Sequence, residues 1–233
     1  MASNICKLGS SMIFWELNSK VGGLYFLRSV ELLYIWVERC YNNIAAQKQT
    51  IRNNDTMRKL SLFIATSLDG YIAKPNDDLS FLNVVEKEGE DYGYAEFTAN
   101  IDTLIIGRKT YDYVLENVGS SHYDNGQRDV YVITRTERPK LGRTTFYTGN
   151  LKELVQQLKS ENGKNIYCDG GAEVINELLK YDLIDEFIIS IVPVLLGNGT
   201  RLFKDGRPEQ QLEFVSAKSF DTGLTQLYYK RKR

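Results

Sequence analysis

The chain has 233 residues, 42% hydrophobic and 25% charged, with a formal net charge of −1; it is long enough to bury a substantial core and too balanced in charge for a global field to recruit nucleic acid or an acidic membrane. Three cysteines (Cys6, Cys40, Cys168) and one histidine (His122) are too few and too scattered for a disulfide framework, a zinc knuckle, a histidine-based triad or a multi-histidine metal site. They favour a reducing, cytoplasmic setting and no metal.

In chain order, residues 1–56 stand apart as an N-terminal extension. The apolar stretch at residues 24–37 is interrupted by Arg28 and Glu31 and falls short of the roughly 20 residues that span a bilayer, so stable membrane insertion is not expected. A secretory leader is not expected either, because no compact basic region precedes an uninterrupted apolar core and small-residue cleavage site. The stretch reads as a packing helix, a membrane-surface helix, or sequence upstream of a start at Met57, with the polar residues 47–56 as a linker.

Residues 57–233 read as one domain of alternating strands and helices. A strand at residues 60–66 leads into a long loop at 67–80, and a helix is expected at 88–100 with Tyr92, Phe97 and Ile101 on its apolar side. Next comes DTLIIGRKTYD (residues 102–112): a buried strand through Leu104, Ile105 and Ile106, a turn at Gly107, then Arg108, Lys109 and Thr110 opening a helix. A helix start favours an anion by roughly 0.3–1 kcal/mol per charge at exposed sites, and two cations would reinforce that field, although glycine followed by basic residues also begins ordinary surface helices. The strand DVYVITRT (129–136) ends in Thr134 and Arg135, a pair suited to an extra phosphate where an acidic residue would suit a free ribose hydroxyl.

Asn150 with Glu153 matches an N-cap for a scaffold helix that Gly163 can end. NIYCDGGAEVINELL (165–179) runs from a strand through Gly170 and Gly171 into an amphipathic helix at 172–180, and paired glycines let backbone approach a pyrophosphate, or serve as a plain strand turn. A strand at 186–192 and a hairpin of residues 212–220 and 224–230 around Asp221-Thr222-Gly223 complete the pattern. Alternation of this kind implies a mainly parallel sheet covered on both faces, with ligands at the carboxyl ends of its strands. Gly107, the Thr134-Arg135 pair and Gly170-Gly171 all fall at such ends. No GxGxxG follows the first strand, which disfavours a Rossmann dehydrogenase.

The order of LFIATSLDGYIA (62–73), DTLIIGRKTYD, VYVITRT, IYCDGGAEVINELL and IDEFIISIVPVLLGNGTRLF (184–203) resembles the dihydrofolate reductase superfamily. It is most similar to stand-alone proteins related to the reductase domain of the bifunctional riboflavin-biosynthesis deaminase-reductase. The resemblance implies a three-layer α/β fold with a mainly parallel central sheet, helices on both faces and a C-terminal antiparallel hairpin. It also implies an NADPH-dependent reductase acting on a small heterocyclic (pterin or pyrimidine-like) or carbonyl substrate, and a homodimer.

Carried over residue by residue, Gly107, Arg108, Lys109 and Thr110 correspond to the motif contacting cofactor phosphates. Thr134 and Arg135 correspond to the strand end receiving the 2′-phosphate, and Gly170, Gly171 and Ala172 to the pyrophosphate turn. Ala65, Asp69 and Ile72 fall on the strand and loop that close over the nicotinamide. Asp91 falls where dihydrofolate reductases place the carboxylate that binds the pterin, so Asp91 and Asp69 are the candidate catalytic acids. Acidic residues in a first helical turn and Asp-Gly turns also arise for purely structural reasons. Phe81 is the nearest aromatic to the expected substrate position, or a core residue.

Two departures bear on the substrate. The Asp, Pro, Leu and Arg that read a ribose phosphate in the riboflavin reductase are replaced here by YVLENVGSSHYDNGQ, and the Trp and Pro of the dihydrofolate reductase loop by DDLSFLN. A non-catalytic nucleotide-binding or assembly module on the same fold is the alternative.

Overall fold

A strand buried on both faces must be apolar at nearly every position, and the centre of this fold is built from runs that approach that limit. The computed structural model describes Arg39, residues 57–119, Tyr123 and residues 126–232. The apolar stretch at 24–37, the linker at 47–56, Cys6, Cys40 and His122 lie outside the described residues.

Ten strands are described: β1 (Leu60–Ser67), β2 (Tyr71–Ala73), β3 (Ile101–Gly107), β4 (Asp129–Ile133), β5 (Thr144–Tyr147), β6 (Asn165–Gly170), β7 (Glu186–Val192), β8 (Thr200–Arg201), β9 (Leu212–Ser219) and β10 (Thr225–Arg231). The α-helices are α1 (Tyr94–Ala99), α2 (Arg108–Asn117), α3 (Leu151–Ser160) and α4 (Ala172–Lys180). Eight strands form one sheet in the order β5-β4-β3-β6-β1-β7-β10-β9. The first six run parallel, and β10 and β9 close the sheet antiparallel. This is the expected α/β architecture with its C-terminal hairpin.

The layers follow from side-chain alternation along each strand. On one face Leu60, Leu62, Ile105, Ile166 and Cys168 pack against Leu154, Val155 and Leu158 of α3 and Val174, Ile175 and Leu178 of α4. On the other, Leu104, Ile106, Val130, Val132 and Tyr167 meet Tyr111 of α2, with Phe63, Tyr94 and Phe97 packed alongside. Each fully buried aliphatic side chain contributes roughly 1.5–3 kcal/mol. At the base of the sheet the buried Lys159 pairs with Asp185, which also accepts the Leu60 N–H at 2.9 Å and pairs with Arg231 at 3.1 Å.

Local chemistry corrects several expectations. The helix expected at 88–100 is only Tyr94–Ala99, because Gly93, its N-cap, holds a left-handed φ of 81° and Tyr92 one of 55°. Asn150 does cap α3, accepting from Lys152 N at 2.9 Å and Glu153 N at 3.4 Å, but that helix ends at Ser160 rather than at Gly163. The long loop also contains β2, which pairs with the distant β8 in a two-stranded sheet that no local pattern signals. Among the described residues no helix is long and apolar enough to cross a membrane, and no group of three potential metal-ligating side chains assembles.

Candidate functional site

In a parallel sheet every strand ends at the same rim, so the residues following β1, β3, β4, β5 and β6 converge. There they border an open cleft of about 1650 Å³, larger than the roughly 300–1,000 Å³ typical of a site for one small ligand. Its wall includes Ala65, Ile72, Gly107, Arg108, Lys109, Thr110, Thr134, Arg135, Gly171 and Ala172. The structure thus gathers on one cleft ten of the eleven positions expected to hold a cofactor. The eleventh, Gly170, lies directly behind: its carbonyl oxygen is 3.6 Å from where a Cβ on Gly107 would stand, and its φ of 107° suits glycine.

At the rim, one part of the cleft is made by close backbone approach. A Cβ on Gly107 would come within 3.2 Å of Val174 Cγ2 and 3.4 Å of Gly171 N, and one on Gly171 within 2.9 Å of Thr110 Oγ1. The two glycines bring the starts of α2 and α4 together, and no side chain caps either start, in contrast to α3. First-turn N–H groups left without a side-chain acceptor suit an anion.

The cations beside this cradle differ in availability. Arg108 is committed to Asp112 at 2.5 Å, and Asp112 also receives Arg138 at 3.2 Å. Arg135, exposed, makes no ion pair among the described residues. Thr134 shapes the turn before it: its Oγ1 accepts from Thr136 N at 3.1 Å and its N–H donates to Tyr147 O at 3.0 Å.

The residues expected to do chemistry are elsewhere. The Asp69 carboxylate accepts from Ser67 Oγ at 2.6 Å, Gly197 N at 2.7 Å and Leu196 N at 3.1 Å, and the Ser67 hydroxyl, followed by those two backbone N–H groups, holds its pKa down to about 2. It pins the loop after β1 to the loop after β7 and does not line the cleft. Asp91 is exposed and outside the cleft lining. Ala95 N at 2.8 Å and Gly93 N at 2.9 Å donate to it and lower its pKa, which makes it a cap for the short α1. A raised-pKa acid at Asp91 is therefore overturned, because the backbone turn that broke the predicted helix also consumed the carboxylate. Phe81 is 2% exposed, packed with Val85, Val192 and Leu224; it is core.

Among the carboxylates that line the cleft, Asp169 lies on β6 beside Gly170 and is held by two tyrosines. Tyr167 donates to its Oδ1 at 2.6 Å and Tyr123 to its Oδ2 at 2.8 Å. Phe63 and Tyr94, in ring contact with each other and, through Tyr94, with Tyr167, also line the cleft, as do Leu79 and Leu82. Burial, and then the charge of Asp169, raise the pKa of Tyr94, Tyr123 and Tyr167, so all three keep their protons. Asp169 was missed because its signal, one acidic residue before Gly-Gly, is submerged in a motif read for its glycines. The period-two placement of Tyr167 and Asp169 could have shown that they share a face.

The RibD C-terminal domain family model matches residues 58–226. The uncharacterized protein YwjB of Bacillus subtilis (strain 168) is 39% identical over 175 residues, covering 75% of this chain and 98% of that protein. The crystal structure of a candidate riboflavin biosynthesis protein from Shewanella sp. PV-4 superimposes with a TM-score of 0.68 at 32% identity, covering 75% of this chain and 99% of that one. The diaminohydroxyphosphoribosylaminopyrimidine deaminase/5-amino-6-(5-phosphoribosylamino)uracil reductase of Thermotoga maritima shares the fold at 14% identity and a TM-score of 0.57, covering 77% of this chain and 58% of that one.

Proposed function

The chain belongs to the RibD C-terminal domain family, and from that premise we propose that it is an NADPH-dependent reductase delivering a hydride to a small heterocyclic or carbonyl substrate. The observation that carries the reading is the cradle at the meeting of two uncapped helix starts, with Arg135 at the neighbouring strand end. Gly107 and Gly171 admit a pyrophosphate to backbone N–H groups, and Arg135 receives a further phosphate with charge-assisted hydrogen bonds that a hydroxyl cannot match. Ala65 and Ile72, from β1 and β2, form the apolar wall for the nicotinamide.

Bound NADPH would supply the hydride, and the chain's task is placement. Reacting atoms held roughly 3–3.5 Å apart with water excluded account for much of the rate in such transfers. The aromatic end of the cleft, Phe63, Tyr94 and Tyr167, excludes water and stacks a flat ring, while Asp169 orients it. With Asp69 and Asp91 occupied elsewhere, the proton balancing the hydride comes from solvent at the mouth of the cleft or through the Asp169–tyrosine group. A non-catalytic module would lack a carboxylate open to the cleft, and Asp169 favours the enzyme. Homodimerisation in a cytoplasmic setting belongs to the same proposal: β9 forms the sheet edge with Leu212, Phe214 and Val215 exposed, and sedimentation of the full chain checks it.

The test is a fluorescence titration of the full chain with NADPH and NADH, followed by NADPH oxidation assays with dihydropterin and aminouracil substrates. Saturable binding that prefers NADPH, with turnover of at least one substrate class, is expected. Absence of dinucleotide binding removes the assignment.

A further inference from the structure

Beyond the reductase reading, we infer that the turn from Lys204 to Arg207, with Arg201 beside it on β8, is a second anion site on the cleft, separate from the glycine-lined rim, and takes a phosphate or carboxylate group. Three observations carry it. First, the charge there is unbalanced. The run RLFKDGR (201–207) holds three cations against one acid, Asp205, and all four of these residues line the cleft. None of the three cations forms an ion pair among the described residues, with Asp205 or with Asp77, Glu173 and Glu177, which line the same cleft. The other lining cations have partners or another place: Arg108 pairs with Asp112 at 2.5 Å and Lys180 with Glu177 at 3.8 Å, while Lys109 opens α2 and Arg135 follows β4, where the proposed cofactor carries its phosphates.

Second, the segment is held in place. Leu202 is 1% exposed and roots it in the core. Asn176 of α4 donates through Nδ2 to Ala172 O at 2.7 Å and Leu202 O at 2.8 Å, and its Oδ1 accepts from Lys204 N at 2.9 Å, so one side chain ties residues 202–204 to the first turn of that helix. Gly206, with a φ of 81°, turns the chain back, and Arg207 Nη1 donates to Lys204 O at 2.9 Å. The Arg207 guanidinium lies 5.2 Å from the Phe203 ring centroid and that of Arg201 4.6 Å from the Tyr71 ring. A guanidinium resting on a ring loses less freedom on binding, and Arg207 spends one of its five N–H donors on Lys204 O. A planar fork beside an ammonium suits the oxygens of a phosphate or carboxylate.

Third, the site is continuous with the cleft wall. Arg201 pairs across β2–β8 with Tyr71, the neighbour of Ile72, and Lys180 lies four residues beyond Asn176 on the same face of α4. Cations along one wall of a cleft concentrate anions there. An anionic tail of the substrate and a free phosphate from solvent offer the same chemistry to this wall.

The experiment is a calorimetric titration of the NADPH-loaded full chain with inorganic pyrophosphate at constant low ionic strength. Wild type is expected to bind pyrophosphate saturably with the cofactor in place, and Lys204→Ala/Arg207→Ala to weaken that binding at least about ten-fold with NADPH affinity unchanged. Lys140→Ala/Lys232→Ala removes the same charge from residues outside the cleft lining and should leave pyrophosphate affinity as in wild type. Turnover separates the two sources: pyrophosphate that raises KM for the dihydropterin or aminouracil substrate and leaves kcat unchanged assigns the site to a substrate tail, and binding with KM unchanged assigns it to a free anion. No binding to the loaded chain, wild-type affinity in Lys204→Ala/Arg207→Ala, or an equal loss in the control overturns the inference, while NADPH binding preserves the reductase reading. A chain that binds pyrophosphate through Lys204 and Arg207 but does not bind NADPH keeps this site and loses the reductase.

Discussion

Replacing Arg135 by alanine removes the charge at the end of β4 that is proposed to receive the second phosphate. Arg135 follows β4 on a turn tied by Thr134 and carries no ion pair among the described residues, so its removal strands no partner and should leave the fold intact. A hydrogen bond to a charged group is worth about 1.5–3 kcal/mol. Because Arg135 is exposed, solvent screening reduces that to about 1–2 kcal/mol, or roughly 5–30-fold in affinity. The expected result is a loss of that size for NADPH, none for NADH, and a smaller loss at high salt, read by fluorescence titration. Arg143→Ala is the matched control, since Arg143 pairs with Asp129 at 2.8 Å at the opposite end of β4 and should change neither affinity. Parallel losses for both dinucleotides in Arg135→Ala, or no loss at all, would refute the placement of the extra phosphate.

Other consequences follow from the same geometry. Asp69→Asn should lower the thermal midpoint near neutral pH by freeing residues 196–197. Because the folded-state pKa of Asp69 is depressed from 3.8 to about 2, its contribution is complete above the unfolded value and disappears as pH falls through that interval, so the variant should lose less stability than wild type between those limits. Gly199→Ala places a Cβ 2.1 Å from Ala73 O at a φ of 137°; it should cost at least about 1–3 kcal/mol in chemical denaturation and weaken dinucleotide binding by disturbing β2 and β8. Asp185→Asn removes the shared carboxylate of the buried Lys159 and Arg231, and urea unfolding should show a loss of about 3–5 kcal/mol. Asp91→Asn should leave substrate KM and kcat unchanged, since its carboxylate caps α1; a large loss of kcat would give this residue a part in turnover.

Sequence patterns reached the sheet and the glycine-lined meeting of two helix starts at its rim because both are coded locally. Parallel strands write themselves as continuous apolar runs such as Leu104-Ile105-Ile106, and a helix start at a rim is marked by the glycine that lets it approach. What stayed hidden depends on pairings distant in the chain. The β2–β8 sheet joins residues 71–73 to 200–201, too short on either side to show a period. Counting back from Gly107 leads to Asp91, but Gly89 and Gly93, with φ values of 78° and 81°, replace the expected helix with turns and spend Asp91 on a cap. The Asp169 carboxylate is held from both sides only when Tyr123, 46 residues away, is folded onto it. Phe81, an aromatic in a polar-looking loop, is buried by β7 and the 220–224 turn, contacts that no local pattern announces.

A crystal structure of the chain with NADPH is the decisive measurement. The pyrophosphate is expected on the backbone between Gly107 and Gly171, the 2′-phosphate at Arg135 and the nicotinamide beside Ala65 and Ile72. A dinucleotide seated away from this rim, or a cleft that stays empty at saturating NADPH, would contradict it.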